Sequence, residues 1–146
     1  MIIDTTYLLP LAKINVRYDL LKAIALGKLK IDLGFEDLKV SLISLFELQA
    51  KAWKIGVPPD YVLKAVNAVI RNFEVVPFYH SKVVNVTYEL RDLLEDFIDC
   101  IIIATAVAFK EDLITEDRDI LSLRKLMTER YNVSVLRYND VALPCQ

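Results

Sequence analysis

The sequence predicts an α/β domain of three layers, in which helices cover both faces of a central parallel sheet. Two observations predict this class. Strand-like apolar runs alternate with helix-like segments along the whole chain, which is typical of parallel strands joined by helices. Hydrophobic residues make up 55% of the sequence and the mean hydropathy is +0.36, as suits a sheet buried on both faces. Because 146 residues is the size of one domain, residues 1–146 are expected to share a single core.

The first half of the chain opens with a strand. Residues 1–3 are apolar and end at Asp4, and the apolar residues that follow predict one or two helical turns. Gly56 and Pro58 are stop signals between two amphipathic helices. The periodicity predicts, in order, a helix over 17–28, a strand over 39–43, helices over 44–55 and 59–72, and a strand over 73–76.

The second half contains the most apolar segment of the chain, from Cys100 to Phe109. Its β-branched residues are compatible with a strand, but its alanines and its unbroken length favour a buried helix that begins at Asp99. Around this helix, the pattern predicts a helix over 81–94, a strand over 112–115, a helix over 117–127 and a last strand over 133–136.

Several classes of enzyme are excluded by what the sequence lacks. Its three glycines cannot form the glycine-rich turn of dinucleotide-binding proteins or the phosphate loop of P-loop enzymes. The one histidine, His80, has no neighbouring ligand residues, which excludes a histidine zinc site, and no G-x-S-x-G motif accompanies it. We therefore expect His80 to be solvated or to lie beside a helix cap.

The net charge bears on the kind of partner. A net charge of −2 and a pI near 5.4 argue against nonspecific coating of nucleic acid, which depends on many Lys and Arg contacts to phosphate. An enzyme that needs only a local basic rim remains compatible with this charge, although solvated surface charge is the simpler interpretation of any single cation. The candidate rim residues are Lys13, Arg17, Lys51, Lys54 and Arg118.

No segment predicts a membrane or secretory location. The apolar run over 100–109 is much shorter than the ~20 residues of a bilayer-spanning helix. The N-terminus lacks the basic region and cleavage site of a signal peptide. Cys100 and Cys145 form neither a disulfide framework nor a metal-ligand spacing, so both are expected to be reduced. A cytoplasmic location is the resulting expectation.

Four carboxylates, Asp4, Glu47, Asp99 and Asp117, lie beside apolar segments. Burying an unpaired carboxylate is costly, so such groups are normally paired, hydrogen-bonded or bound to metal. The carboxyl ends of parallel strands border one crevice, and both Asp4 and Asp117 follow strands. Asp99 would enter from the start of the buried helix and Glu47 from a flanking helix. The four side chains are therefore candidates for one site.

Each carboxylate also has a purely structural interpretation. Asp4, Asp99 and Asp117 all stand where a helix begins, and Asp is a preferred N-cap residue. Glu47 can lie at the edge of the apolar face of its helix. A further acid, Asp96, lies three residues before Asp99 and is interpreted as solvated. Only the four main acids together favour a site over these alternatives.

The chain resembles the PIN domain family over its whole length. The resemblance is carried by four segments in order: Ile2-Ile3-Asp4-Thr5-Thr6, Ile43-Ser44-Leu45-Phe46-Glu47-Leu48, Asp99-Cys-Ile-Ile-Ile-Ala-Thr-Ala and Leu113-Ile114-Thr115-Glu116-Asp117-Arg118-Asp119. Thr6 stands at the position of the family's small hydroxyl residue. The chain departs from the family at Lys110-Glu111-Asp112, where many relatives carry Gly-Ala.

The resemblance implies a PIN-like three-layer fold and hydrolysis of RNA phosphodiester bonds with Mg²⁺ or Mn²⁺. Carboxylate oxygens are the ligands that such hard cations prefer. The implied central ligands are Asp4 and Asp99, with Glu47 and Asp117 completing the metal site directly or through water. Thr6, Thr115 and Asp119 are implied to support these carboxylates.

The resemblance also implies partners. Many small PIN proteins are VapC-type toxins that an antitoxin protein holds inactive, and they form homodimers. The high apolar fraction of this sequence independently favours a homodimer, because surplus apolar surface tends to be an interaction site.

Three alternatives differ in class from a ribonuclease. A haloacid-dehalogenase-like phosphatase requires a second acid at Thr6 and usually a cap insertion, and a phosphoacceptor receiver domain requires an aspartate at the end of its third strand. The chain has none of these features. A PIN-like module that binds RNA or protein without cleaving it remains the main alternative, although all four main acids are present.

Overall fold

The computed structural model describes residues 1–144 and contains one five-stranded sheet in which every pair of neighbouring strands is parallel. The spatial order of the strands is β3-β2-β1-β4-β5. The strands are β1 (Ile2–Ile3), β2 (Lys39–Ser41), β3 (Glu74–Val76), β4 (Leu113–Ile114) and β5 (Val135–Leu136). The parallel sheet that the sequence predicts is therefore confirmed. Cys145 lies outside the described residues.

Eight α-helices and two 3₁₀ helices accompany the sheet in the described chain. The 3₁₀ helices span Thr5–Ala12 and Phe35–Asp37. The α-helices are α1 (Leu20–Ala25), α2 (Leu42–Lys54), α3 (Pro59–Asn72), α4 (Ser81–Leu90), α5 (Phe97–Phe109), α6 (Arg118–Ser122), α7 (Arg124–Tyr131) and α8 (Tyr138–Val141). No helix of the described chain is long and apolar enough to cross a bilayer.

Instead of the single core expected from the chain length, two apolar cores lie on opposite faces of the sheet and make the fold three-layered. Successive strand side chains point to opposite faces, so Ile2 joins one core and Ile3 joins the other. The first core contains α5 and side chains from α4 and α7, and the second contains the first 3₁₀ helix and side chains from α1, α2 and α3. The buried side chains of α5 run unbroken from Cys100 to Ala106, which explains why that segment is apolar on all sides.

Several predicted boundaries are wrong in detail. The predicted helix over 117–127 is two helices, because the Ser122 hydroxyl donates to the Asp119 carbonyl oxygen and Leu123 leaves the helical conformation at φ −90° and ψ 3°. The predicted helix over 81–94 ends at Leu90. The buried helix begins at Phe97 instead of Asp99, since Asp96 caps it.

The helical turns predicted after β1 are present as a 3₁₀ helix, and this segment contains Pro10, which lacks an N–H donor. The predicted helix over 17–28 shortens to α1, and the short helix α8 has no counterpart in the sequence prediction. These differences leave the order of the predicted strands unchanged.

The segment Lys110-Glu111-Asp112 closes the turn between α5 and β4. Lys110 has a left-handed backbone with φ 52° and ends α5. Glu111 forms ion pairs with the Met1 amine and with Lys39, and Asp112 accepts a hydrogen bond from the Ser134 N–H at 2.8 Å. This segment lies at the amino ends of β1 and β4, away from the candidate site described below.

Candidate functional site

A cleft of about 320 Å³ opens at the carboxyl ends of β1 and β4. Six carboxylates, one ammonium and one hydroxyl line it: Asp4, Glu47, Asp96, Asp99, Glu116, Asp117, Lys51 and Thr6. The four predicted acids are thus brought to one place by β1, α2, α5 and the segment after β4. Thr6, which was predicted to support them, is also part of the cleft wall.

Asp4 lies at the closed end of the cleft and is only 6% exposed. One carboxylate oxygen accepts from the Thr5 N–H at 2.6 Å, and the other accepts from the Thr115 hydroxyl at 2.7 Å. The contact with Thr115 arises because Ile3 and Ile114 are paired in register, which places the next residues of β1 and β4 side by side. Burial raises the pKa of Asp4 to about 6, against the lowering effect of the Thr115 hydrogen bond.

Asp99 lies in the first turn of α5, at the centre of the acidic cluster. Its pKa is raised to about 7, first by burial and then by the negative charges of Asp117, Asp96, Asp4 and Glu47, in that order. The carboxylates that line the cleft therefore act on one another electrostatically. Without a cation, their mutual repulsion opposes ionisation of Asp99 at neutral pH.

Glu47 lies on α2, and its side chain is 19% exposed. Its Oε1 atom lies 3.6 Å from the Nζ atom of Lys51, one helical turn further along. Lys51 is the one predicted rim cation among the residues that line the cleft. Another predicted rim cation, Arg17, packs against Tyr18, with its Cζ atom 5.1 Å from the ring centroid.

Asp117 both lines the cleft and caps a helix. Its Oδ1 atom accepts from the N–H groups of Asp119 and Ile120 at 2.9 and 3.0 Å, which caps α6. Its own N–H donates to the Thr115 hydroxyl at 3.0 Å. Thr115 therefore links Asp4 to Asp117, and the predicted capping interpretation of Asp117 coexists with a place in the cleft.

Asp119, like Thr115, is a predicted supporting residue that does not itself line the cleft. Its side chain borders a neighbouring cavity of about 570 Å³, which it shares with Asp96, Asp99 and Ser122. Its contact with the acidic cluster is the hydrogen bond from its backbone N–H to Asp117. Asp96 and Asp99 border both spaces, so the two are adjacent.

Two acids of the cleft, Asp96 and Glu116, were not proposed as site residues from the sequence. Asp96 is exposed, as predicted, and its Oδ1 atom also accepts from the Ile98 and Asp99 N–H groups at 2.8 and 3.1 Å and caps α5. Glu116 accepts from the Tyr7 hydroxyl at 2.9 Å and from the Tyr138 N–H at 2.8 Å. The spacing of Asp96 before an apolar run is an N-cap signal, whereas nothing local in the sequence indicates the partners of Glu116.

His80 has a structural role, as predicted. Its Nδ1 atom accepts from the Lys82 N–H at 3.3 Å at the start of α4, and its ring packs edge-on against Phe109 with 5.2 Å between centroids.

The side chains of the cleft suit a hard divalent cation by their chemistry. Every potential ligand is an oxygen donor, as Mg²⁺ and Mn²⁺ prefer, and the pKa values of Asp4 and Asp99 are raised first by burial and then by neighbouring carboxylates. Within the described residues, no three acidic, histidine or cysteine side chains form a preformed metal-binding group. Mg²⁺ commonly uses only one or two carboxylates and keeps several waters, so this spacing is compatible with it.

Comparisons with solved structures show the same fold in other proteins, one of which is described as a member of the VapBC family of toxin–antitoxin systems. A VapBC-5 structure from Mycobacterium tuberculosis matches with a TM-score of 0.63 and 17% identity, over 93% of this chain and 96% of that chain. FitAcB from Neisseria gonorrhoeae matches with a TM-score of 0.63 and 16% identity, over 94% and 98%. VapBC2 from Rickettsia felis, bound to a promoter DNA fragment, matches with a TM-score of 0.58 and 19% identity, over 93% and 96%.

No curated protein sequence matches the chain significantly. The family model described as the PIN domain, in contrast, matches residues 1–126, which include every residue of the cleft. With this match and the parallel α/β/α architecture, the chain belongs to the PIN domain family.

Proposed function

We propose that this protein is a divalent-metal-dependent ribonuclease that hydrolyses phosphodiester bonds of RNA, with Asp4, Glu47, Asp99 and Asp117 as its catalytic residues. PIN domains are generally nucleases and generally use divalent metal ions. The observation that carries the proposal is the convergence of these carboxylates on one cleft, with the other three acting electrostatically on Asp99.

In this proposal, Asp4 and Asp99 hold Mg²⁺ or Mn²⁺, and Glu47 and Asp117 complete the site directly or through water. Such an ion, when bound, lowers the pKa of a bound water and neutralises charge on the phosphate. Thr115 orients Asp4 through its hydroxyl.

The two remaining supporting residues act in different ways. Asp119 orients Asp117 through its backbone N–H. Thr6 offers a hydroxyl at the wall of the cleft.

The proposed partners follow from the solved relatives and from exposed apolar side chains. Two of the similar structures are described as a toxin–antitoxin complex and as a member of a family of toxin–antitoxin systems, and we propose an antitoxin protein as a partner and a cytoplasmic toxin role. We also propose a homodimer, because large side chains such as Phe46, Trp53, Tyr88 and Phe97 are more than half exposed.

The main alternative is a PIN-like module that binds RNA or protein without cleaving it. The presence of all four acids favours the enzyme, because a module that only binds an anionic strand gains nothing from concentrating six carboxylates in one cleft.

The test is cleavage of single-stranded RNA by the purified chain with Mg²⁺, with Mn²⁺ and with chelator. Cleavage is expected only with metal, and Asp99→Asn should reduce it about a hundredfold or more, since the amide removes the charge that a hard cation needs. Asp92→Asn is the matched control, because Asp92 is 86% exposed and lies outside the cleft. Undiminished cleavage in chelator, or equal activity of the two variants, contradicts the proposal.

The same proteins provide a measurement that does not depend on activity. Mn²⁺ at about 100 times its Kd should stabilise the wild type and Asp92→Asn by roughly 3 kcal/mol, as mass action requires of a ligand that binds only the folded state. Asp4→Asn and Asp99→Asn should lose most of this gain in a thermal melt. If metal stabilises the protein but RNA remains intact, the binding module is the correct function.

A further inference from the structure

Lys51 is the only basic side chain among the described residues that line the acidic cleft. It lies on α2 one turn after Glu47, on the side of the helix that faces Asp4 and Asp99. Six carboxylates and a single ammonium therefore share one small volume. This juxtaposition requires an explanation, because an isolated cation among proposed metal ligands competes with the metal for the same carboxylates.

The contact between Lys51 and Glu47 is loose. The distance of 3.6 Å from Nζ to Oε1 exceeds that of a hydrogen bond, and the Lys51 side chain is 46% exposed. Exposed pairs of this kind contribute little stability, and the long stem of lysine lets the ammonium reorient at small cost. The charge of Lys51 also reaches Asp4, on which it acts favourably. The ammonium is thus held near the cleft without being locked into it.

An RNA strand must bring a phosphate into this cleft against a strong negative potential. A metal ion offsets part of the repulsion, but six carboxylates exceed the charge of one divalent ion. A cation from the protein that can turn toward the phosphate offsets more of it, and it does so in a place from which bulk solvent is partly excluded. Lys51 is the described residue placed to do this.

We propose that Lys51 binds a nonbridging oxygen of the RNA phosphate at the cleft, and that Glu47 keeps the ammonium beside the cleft until the strand arrives. This inference rests on the proposed ribonuclease function. It makes Lys51 a catalytic residue that contacts the substrate, and it gives Glu47 a second role besides that of a metal ligand.

Removing the charge of Lys51 should have opposite effects on metal and on RNA. Lys51→Met keeps most of the aliphatic stem but abolishes the ammonium, so the carboxylates attract a divalent cation more strongly. We expect Mn²⁺ to bind on the order of fivefold more tightly in isothermal titration calorimetry. A lysine with only a structural role on the surface of α2 predicts no such gain.

RNA binding should weaken in the same variant and lose part of its dependence on salt. A phosphate contact to single-stranded nucleic acid contributes about 0.7 to the slope of log K against log salt concentration. The slope for Lys51→Met should fall by about this amount in a stopped-flow anisotropy measurement with labelled single-stranded RNA and Mn²⁺, read before cleavage. Cleavage should fall about tenfold or more in kcat/KM, and Lys51→Arg should retain the salt slope.

The matched control is Lys125→Met on α7. Lys125 forms an i, i+4 pair with Glu129 at 3.8 Å, and it lies outside the cleft. This variant should match the wild type in Mn²⁺ affinity, salt slope and cleavage. If the salt slope of Lys51→Met matches that of the wild type, whatever its Mn²⁺ affinity, Lys51 does not contact the phosphate, and the inference is overturned.

The outcomes also separate this inference from the proposed function. A wild type that binds RNA without cleaving it contradicts the ribonuclease, while a reduced salt slope and tighter Mn²⁺ binding in Lys51→Met still support the phosphate contact. If the wild type cleaves RNA and Lys51→Met has the same salt slope as the wild type, only the role of Lys51 is contradicted.

Discussion

At the scale of single residues, Asp4 and Asp99 are the groups whose ionisation opposes folding of the metal-free protein. Their pKa values are raised to about 6 and about 7, from an ordinary value of 3.8. The native state therefore binds more protons than the unfolded state between about pH 4 and pH 7. The stabilising contribution of both groups is fully present below pH 4 and is lost as the pH rises through 6 and 7.

The free energy of unfolding in chelator should accordingly fall between pH 5 and pH 7.5, with a contribution of roughly 1 to 1.5 kcal/mol from Asp4 in this window. Glu111 and Asp140 have lowered pKa values, so their effects lie below this window. Urea unfolding at a series of pH values measures the trend. Asp99→Asn should flatten it, while Asp92→Asn should not, and a wild-type stability that rises over the same window contradicts the electrostatic description of the cleft.

Saturating Mn²⁺ should reverse this trend. Metal binds the ionised carboxylates, so protons and metal compete for the same oxygens, and the stabilisation by metal increases as the pH rises. The same urea series with Mn²⁺ should therefore show stability that is constant or rising between pH 5 and pH 7.5.

At the scale of secondary structure elements, the left-handed residue that ends α5 carries a conformational cost. Lys110 adopts φ 52°, a left-handed conformation that costs an L-residue with a side chain about 1 kcal/mol relative to glycine. Lys110→Gly should therefore leave the fold intact and raise the free energy of unfolding by roughly 0.5 to 1 kcal/mol.

The control for this prediction is a second lysine-to-glycine substitution, for which we expect the opposite change in the free energy of unfolding. Lys125 is the second residue of α7, and glycine in place of a good helix former there costs roughly 0.5 kcal/mol. Denaturant midpoints of the two variants should move in opposite directions. Destabilisation by both substitutions indicates that the Lys110 side chain makes a contribution larger than its backbone cost.

The elements that could be predicted from the sequence are those with strong local patterns. The strand before Asp4, the helix α3 and the buried helix after Asp99 have an apolar periodicity or an unbroken apolar run, and local patterns of this kind determine the type of element. The break at Leu123 and the start of α5 depend on individual hydrogen bonds, which periodicity does not reveal. The observed boundaries therefore differ from the predicted ones, whereas the order of the strands along the chain is as predicted.

For the acids of the cleft, too, local sequence patterns predict some positions and not others. Asp4 and Asp117 could be placed at strand ends because the carboxyl ends of parallel strands meet at one edge. The position of Glu116 could not be predicted in this way. Its partners Tyr7 and Tyr138 are 109 and 22 residues away in sequence and become neighbours only in the folded chain. The loose pairing of Lys51 with Glu47 follows from helix spacing, but its position inside the cleft required the packing of α2 beside α5.

At the scale of the whole molecule, the surface beside the cleft is unusually apolar. Phe46 and Phe97 are 62% and 64% exposed, and they lie on α2 and α5, which pack against each other. Each phenyl precedes a carboxylate of the cleft by one or two residues. A twofold dimer uses the same patch on both protomers, so these two side chains would supply four buried rings.

We predict that the purified protein is a homodimer at micromolar concentration and that this surface forms part of the interface. Replacing a well-packed aromatic side chain in an interface typically costs 2 kcal/mol or more, which weakens the dimer about thirtyfold. Phe46→Ser combined with Phe97→Ser should therefore be monomeric by light scattering at the concentration where the wild type is dimeric.

The matched control places the same loss of apolar surface on another helix. Leu63 and Ile70 on α3 are 61% and 57% exposed, and their double replacement by serine should leave the dimer intact. If only the α3 variant dissociates, the interface lies on that helix and the clefts of the two protomers are further apart. A wild type that scatters as a monomer contradicts the dimer itself, and the exposed rings beside the cleft are then available to stack on the bases of the RNA strand.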